Sequence, residues 1–260
     1  MRLAFRCALL YPAGYRNFLD VQIRHHPFQL NLEGVRVLHL SDLHLDLDEG
    51  LCQVLIEKIS RLQFELCVIT GDFADKDSTL ALQRLEKLRA VLGPWVYGIL
   101  GNHDCLEMVP ALTAMEIRIL LDETVCWQDQ LYLSGAINPY RIGPAMMDKM
   151  RKSVPEGAPS LLLAHSPDSY LAAAAAGYDV MLAGHTHGGQ ICLPGGFPLL
   201  RNSRAPRPML HGPWQYEKLQ GYTSAGTGSC GVPLRFFCPP EIVIHRLTSF
   251  QDSPHSGELG

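Results

Sequence analysis

An α/β fold, with sheets covered by helices on both faces, is what this sequence of 260 residues predicts. Three observations predict it. Short apolar runs alternate with segments of helical periodicity, the pattern of successive strand–helix units. Runs such as Leu66-Cys67-Val68-Ile69 and Leu161-Leu162-Leu163-Ala164 are apolar throughout rather than at alternate positions, so both faces of their strands are covered. Hydrophobic residues make up 47% and charged residues 18%, the balance of a chain that folds around a core. No repeat, low-complexity segment or linker divides the chain, and residues 1–260 are expected to form one domain.

The first twenty residues mix basic and apolar side chains. The stretch 7–15, between Arg6 and Arg16, is too short for a bilayer span, which takes about 20 apolar residues. It also lacks the apolar stretch and small-residue site of a cleaved signal peptide. Residues 1–20 are expected to pack on the domain as a leading segment, with contact at a membrane interface as the alternative.

Residues 21–32 alternate apolar and polar around His26-Pro27, which predicts an edge strand or hairpin, since proline cannot donate to a ladder. A strand over 35–40 and a helix over 51–62 follow, the helix carrying Leu51, Val54, Leu55, Ile59 and Leu62 on one side. The strand 66–70 leads to a helix capped by Ser78 and stopped by Gly93-Pro94. Next come a strand over 95–100, a helix over 107–116 and short strands near 117–120, 124–127 and 131–136. Residues 146–152, basic and rich in Met, predict a short helix or lid. A strand at 161–164, a helix over 169–176 stopped by Gly177, and a strand at 179–182 complete the alternation. Residues 195–213 hold several Pro and Gly with Arg201, Arg204 and Arg207, and predict a long loop. Strands near 220–226 and 234–247 close the chain before a polar, frayed tail over 248–260.

A net charge of −4 advertises no general affinity for nucleic acid. The eight cysteines contain no C-x-x-C pair, which argues against a zinc ribbon or a disulfide framework and for the reduced thiols of a cytoplasmic protein. Eleven histidines are the oddity, and several lie beside Asp and Gly at the ends of predicted strands.

Those strand ends carry the chemistry. They present Asp42 and His44; Asp72; Asn102 and His103; His165; and His185 and His187, the last pair in Gly184-His185-Thr186-His187-Gly188-Gly189. In α/β sheets the working groups gather at the carboxyl ends of strands, so turns far apart in sequence can converge. Carboxylate, imidazole and amide oxygen suit divalent Mn, Fe or Zn, and the absence of cysteine from every turn argues against a structural zinc site. Seven donors exceed the needs of one ion and suit two ions sharing a carboxylate. Asp75 is expected to support the site rather than bind metal. His39 and His211 lie outside these turns and are expected to be structural, and Asp46 and Asp48 to be solvated.

In these blocks, Asp42-Leu43-His44, Gly71-Asp72-Phe73-Ala74-Asp75, Gly101-Asn102-His103-Asp104, His165 and Gly184-His185-Thr186-His187, the chain resembles the calcineurin-like metallophosphoesterase superfamily. The resemblance covers roughly residues 35–190. It implies a four-layer α-β-β-α sandwich, two mixed sheets flanked by helices, with a dinuclear metal site at the strand ends. It further implies that Asp42, His44 and His187 bind one metal and Asn102, His165 and His185 the other, with Asp72 bridging. His103 is left unligated near the leaving group, oriented by Asp104. The implied reaction is attack of a metal-activated hydroxide on a phosphodiester or pyrophosphate, with manganese preferred and iron or zinc as alternatives.

Ser41-Asp42-Leu43-His44-Leu45, Leu163-Ala164-His165-Ser166-Pro167-Asp168 and Gly184-His185-Thr186-His187-Gly188-Gly189-Gln190 together resemble a narrower group of bacterial, often membrane-associated phosphodiesterases. Some of these split the pyrophosphate of UDP-2,3-diacylglucosamine in lipid A synthesis. This implies a cytoplasmic enzyme, peripheral at the inner membrane, with a lipid-linked substrate. Substrate choice is expected in the Met-rich stretch 146–152 and in the loop with Phe197, Leu199 and Leu200, where thioethers and exposed apolar groups suit acyl chains and Arg201, Arg204 and Arg207 suit a second phosphate. The rivals are a catalytically silent scaffold binding a protein partner, and a nuclease. Neither a missing ligand nor a basic stripe speaks for them, and no protein partner is evident.

Overall fold

The computed structural model describes residues 2–138, 140 and 142–249, with side chains from residue 10 onward. The tail expected over 248–260 lies outside them from residue 250. The chain opens with α1 (Arg2–Leu19) and β1 (Gln22–Gln29). Strand–helix units follow: β2 (Val35–Leu40), α2 (Glu49–Ile59), β3 (Leu66–Ile69), α3 (Ser78–Arg89), β4 (Val96–Gly98), α4 (Val109–Ala114) and β5 (Ile117–Ile119). The chain continues through β6 (Glu123–Trp127), β7 (Leu131–Gly135), α5 (Pro144–Arg151), β8 (Ser160–Leu163), α6 (Tyr170–Ala176) and β9 (Val180–Ala183). A small ribbon of β10 (Cys192–Leu193) and β11 (Phe197–Pro198) precedes β12 (Gly212–Tyr216), β13 (Leu219–Thr223) and β14 (Glu241–Thr248).

Two six-stranded mixed sheets result. The first runs β1-β14-β2-β3-β4-β5, parallel except where β14 meets β2. The second runs β12-β13-β9-β8-β7-β6, antiparallel only in its two outermost pairs. Apolar residues on both faces of the strands decide the layers. Val37 and Val68 meet Leu133, Leu161 and Leu182 between the sheets. Leu38, Leu40, Cys67 and Ile69 point the other way and pack with Leu51, Leu55, Leu85 and Leu88 of α2 and α3. Leu162 and Met181 pack on the opposite outer face with Met147, Met150 and Ala173 of α5 and α6. The four-layer α-β-β-α order follows, and the strands that lead into the site, β2, β3 and β4 in one sheet and β8 and β9 in the other, run parallel within their sheets.

Some local expectations are corrected. Asp77, not Ser78, caps α3, its carboxylate accepting from the Leu80 amide at 3.0 Å. Asp is as good a cap as Ser, and the hydroxyl becomes the first helical residue. The loop expected over 195–213 gives way to the unpredicted β12, an edge strand whose Pro213 is tolerated because it lies at the margin of the sheet. The last strand begins at Glu241 rather than near 234, because the segment before it is drawn into the site through Arg235. In α5, Met147 and Met150 are buried in the core, so the thioethers expected to meet a substrate fill space beneath the second sheet instead. Asp46 and Asp48 are not simply solvated. Asp46 accepts from the amides of Asp75, Lys76 and Asp77 at 2.6–2.9 Å, and Asp48 caps α2 while accepting from the Tyr15 hydroxyl at 3.0 Å. That last contact, with Phe18 buried in the core, packs the leading helix α1 on the sandwich. Among the described residues, no helix is long and apolar enough to cross a membrane.

Candidate metal centre

Each site residue sits just past a strand, and the backbone there is forced. Asp42, Asp72, His185 and His187 have φ between 50° and 70°, and His44 has φ 40°. A left-handed conformation is costly for a residue with a Cβ, and five such residues at one site mean that packing holds the turns against strain. Two glycines make the close approach possible. A Cβ on Gly184 would collide with the Ser41 hydroxyl and one on Gly101 with the Asp72 carboxylate, so neither position accepts a side chain.

The turns converge. His44 Nε2 lies 3.3 Å from His187 Nε2 and 3.6 Å from an Asp72 oxygen, and His187 Nε2 lies 3.5 Å from Asp42. Donor atoms of Asp42, His44, Asp72 and His187 all fall within 4.8 Å of one another, and all four residues are buried. On the other side of Asp72, the same carboxylate oxygen is 3.4 Å from His165 Nε2, which is 3.0 Å from the Asn102 amide oxygen. The rings of His165 and His185 are 5.0 Å apart. All seven predicted donors thus come together, with Asp72 in the middle.

Hydrogen bonds set the tautomers. His44 and His165 point Nδ1 at the carbonyls of Ala74 and Thr70, at 3.0 and 2.7 Å, and His185 points Nε2 at that of Asn202 at 3.2 Å. A carbonyl only accepts, so these nitrogens carry hydrogen, and in the neutral form of each ring the opposite nitrogen offers a lone pair. Burial lowers the proton affinity of His44, His185 and His187, the last reinforced by His44 and by the Arg235 guanidinium. Burial opposes ionisation of Asp72, but His165 and His44 beside it hold its carboxyl well below the usual range. Burial likewise opposes a charge on His165, yet the neighbouring Asp72 raises its pKa to about 9. Imidazole nitrogens facing carboxylates at 3.4–3.6 Å in a buried place fit divalent metal ions.

His103 stands apart. Its Nδ1 donates to the Asp75 carbonyl at 3.0 Å, Nε2 faces the Cys230 sulfur at 3.7 Å, and the ring meets His44 edge-on at 5.1 Å. The Cys230 contact, ahead of the Asp75 carbonyl, favours the imidazolium. The orienting role expected of Asp104 is corrected here. Asp104 accepts from the amides of Asp72, Phe73 and Gly101 at 2.8–2.9 Å, and Asp75 is the residue that holds the His103 ring. Cys105 is exposed and nothing in the structure gives it a role, and the cysteines whose side chains are described, from Cys52 to Cys238, are free.

The three predicted substrate arginines are split. Arg201 and Arg204 line a pocket beside the centre, whereas Arg207 stacks on the Phe197 ring at 4.2 Å and does not line it. His39 and His211 are structural as expected: His39 bonds His245 and Thr70 at 3.2 and 2.9 Å, and His211 faces Glu241 at 3.4 Å.

Arg235 escaped sequence reasoning. It is fully buried, and its donors go to the carbonyls of His187 (2.8 Å), Ala225 (2.8 Å) and Gly228, tying the His-x-His turn to the loop before β14. The available signal was one arginine in the apolar run Pro233-Leu234-Arg235-Phe236-Phe237. Gln190 is a second such residue. Its side chain bonds both the amide and the carbonyl of Cys230, at 2.8 and 3.1 Å, and so places that thiol against His103.

The chain is similar to known proteins. The chain is 26% identical to an uncharacterized metallophosphoesterase of Helicobacter pylori over 95% of its length and 70% of that protein. It is 28% identical to the uncharacterized metallophosphoesterase YkoQ of Bacillus subtilis, covering 82% of this chain and 83% of the other. A transmembrane protein with metallophosphoesterase domain from Bos taurus is 27% identical over 85% of this chain and 55% of its own. Among solved structures, TT1561 of Thermus thermophilus superposes with a TM-score of 0.53 at 11% identity, over 74% of this chain and 90% of that one, which is a likeness of fold. The sequence model of the calcineurin-like phosphoesterases matches residues 35–189, the span from β2 through the His-x-His turn, and the chain belongs to that family.

Proposed function

We propose that the protein hydrolyses a phosphodiester or pyrophosphate bond with two divalent cations, manganese first among them and iron or zinc the alternatives. The observation that carries this reading is Asp72, one carboxylate oxygen flanked by His44 Nε2 at 3.6 Å and His165 Nε2 at 3.4 Å. Asp42, His44 and His187 would hold one cation, Asn102, His165 and His185 the other, and Asp72 would serve both. Bound there, the cations supply Lewis-acid polarisation of phosphoryl oxygens and activation of water. The remaining work belongs to side chains. His103, its Nδ1 bound to the Asp75 carbonyl, presents Nε2 as a proton donor to the departing oxygen, and Asp104 holds the Asp72 turn rigid. Metal analysis of the purified protein, followed by hydrolysis of bis-p-nitrophenyl phosphate with and without Mn²⁺, tests the reading. Two tightly held ions with no turnover would favour the silent scaffold.

The finer reading is a lipid-linked substrate such as UDP-2,3-diacylglucosamine, met at a membrane surface by peripheral contact. It is favoured by exposed Ile191, Phe197, Leu199 and Leu200 on the loop that follows the His-x-His turn. That loop, over 191–210, carries three arginines and no acidic residue, a composition suited to anionic lipid.

A further inference from the structure

Two buried cysteines back the His-x-His turn, and neither belongs to the metal centre. Cys192 donates its thiol hydrogen to the Gly188 carbonyl at 3.3 Å and Cys238 to the His187 carbonyl at 3.4 Å, so two successive peptide groups of the turn rest on two sulfurs. With Ala225 the pair forms a small cluster apart from the three larger cores, and in it the thiols lie against each other. Backbone bonds hold the two segments side by side. Ile191 and Phe236 form a parallel bridge, fastened by the Cys192 amide on the Phe236 carbonyl at 2.9 Å and the Phe236 amide on the Gln190 carbonyl at 3.1 Å. The sulfurs come so close to the turn that a Cβ on Gly188 would lie 2.6 Å from Cys238 Sγ, and one on Gly189 3.1 Å from Cys192 Sγ.

Two features separate this pair from thiols that only fill space. The cover over Cys192 is thin. Its strand β10 pairs with β11 through two residues, Cys192 with Pro198 and Leu193 with Phe197, and a ribbon of that length opens at little cost. Positive charge lies beside the other sulfur: Arg235 Nη1 is 3.9 Å from Cys238 Sγ while bonded to the His187 carbonyl at 2.8 Å. A guanidinium there attracts the negative charge that a sulfur carries when it attacks an oxidant. The two sulfurs are thus placed to bond to each other, and the carbonyls that they serve are those of a proposed metal ligand and of the residue after it.

Resting on the two-metal reading above, we propose that Cys192 and Cys238 form a reversible disulfide that loosens the metal site at His187. The co-reactant is a hydroperoxide, in the simplest case hydrogen peroxide. One sulfur attacks a peroxide oxygen, the O–O bond breaks, and a sulfenic acid and water result. The second sulfur displaces the sulfenic hydroxyl as another water, so two thiols and one peroxide give one disulfide and two waters. The new bond draws the sulfurs to about 2 Å and removes both S–H donors from the turn. The His187 carbonyl is then left to Arg235, and the Gly188 carbonyl loses its bond from Cys192. His187 and Gly188 have φ of 51° and 57°, a strained turn held by its packing, so release of these bonds moves the imidazole from its place beside His44 and Asp42. A dithiol reverses the change by exchange.

Treatment of the purified full chain with hydrogen peroxide, followed by desalting, tests this in two readouts. Peptide mass mapping after alkylation should find Cys192 linked to Cys238, and equilibrium dialysis against Mn²⁺ should find one of two ions held about 10–100-fold more weakly. Dithiothreitol, removed before dialysis, should restore the affinity. Cys192→Ser and Cys238→Ser each keep a donor for the carbonyl, and each should bind Mn²⁺ as the untreated protein does, before and after peroxide. Cys230→Ser, which removes the thiol facing His103, should leave the response of metal binding in place. Absence of the linked peptide overturns the proposal, as does a linked peptide with unchanged Mn²⁺ affinity. A loss of affinity that persists in both serine variants, or vanishes with Cys230→Ser, overturns it too. Failure of the two-metal reading is separate, since it shows in the untreated protein as fewer than two bound ions or absent hydrolysis of bis-p-nitrophenyl phosphate.

Discussion

The Asp104 carboxylate is bonded to the backbone amide of Asp72 at 2.8 Å and not to the imidazole beside it in sequence. The same carboxylate takes the amides of Phe73 and Gly101, so it fastens the β3 turn to the β4 turn at the point where Asp72 enters the metal centre. Burial and the charge of Asp72 raise its pKa to about 6, the expense of placing two carboxylates so close. Asp104→Ala should leave these amides unpaired at about 1–3 kcal/mol each if no water reaches them. It should lower Tm and weaken metal binding about tenfold or more, as measured by equilibrium dialysis. Unchanged Tm and metal affinity would show that the turn is held by other means.

Asp72→Asn removes the charge shared by both halves of the centre. The variant is expected to lose at least one metal and nearly all hydrolysis. Retention of two ions with wild-type turnover would sink the shared-carboxylate assignment, and metal counting on the purified variant decides it.

His103→Asn should leave metal content almost intact and lower the rate by about 10²–10⁴, the usual contribution of a positioned acid–base group. The loss should shrink with p-nitrophenol as leaving group, which needs less protonation. A variant stripped of metal would make His103 a ligand instead.

Buried His39 gives a pH dependence of stability. In the unfolded chain an imidazole takes a proton near pH 6.5, whereas burial holds His39 down to about 3. Between those values the unfolded state binds more protons, so stability is complete above pH 6.5 and falls as the pH is lowered. Such a histidine contributes a slope of about 1.4 kcal/mol per pH unit, and buried His245 beside it acts in the same direction. His39→Gln should flatten the acid limb between pH 6.5 and 5 in urea unfolding. Equal slopes in both proteins would place the acid sensitivity elsewhere.

Arg235→Met is expected to destabilise the fold by at least about 3 kcal/mol, because the carbonyls of His187, Ala225 and Gly228 lose charge-assisted bonds. Arg235→Lys should rescue little, since one ammonium cannot reproduce a fork spread over three carbonyls. Denaturant unfolding of the two variants distinguishes a shape requirement from a charge requirement. Full recovery with lysine would mean that charge alone suffices.

What the sequence determined by itself was local. A fully apolar run predicts a strand with both faces covered, and a Gly-flanked Asp or His just past it predicts a donor at a strand end. For that reason the covered strands and the seven donors from Asp42 to His187 were legible before any coordinates, whereas apolar runs alone suggested helices on both faces of each sheet, and the packing of two sheets on one another was implied only by the family resemblance. Only the tertiary structure decided which groups support them. Asp104 turned from its neighbour His103 to amides some thirty residues upstream, Asp75 took over the imidazole, and Arg235 reached back 48 residues to His187. A strand is written in the period of its own residues, whereas the partner of a hydrogen bond, or the wall of a pocket, is settled by whichever chain segment packing brings within about 3 Å.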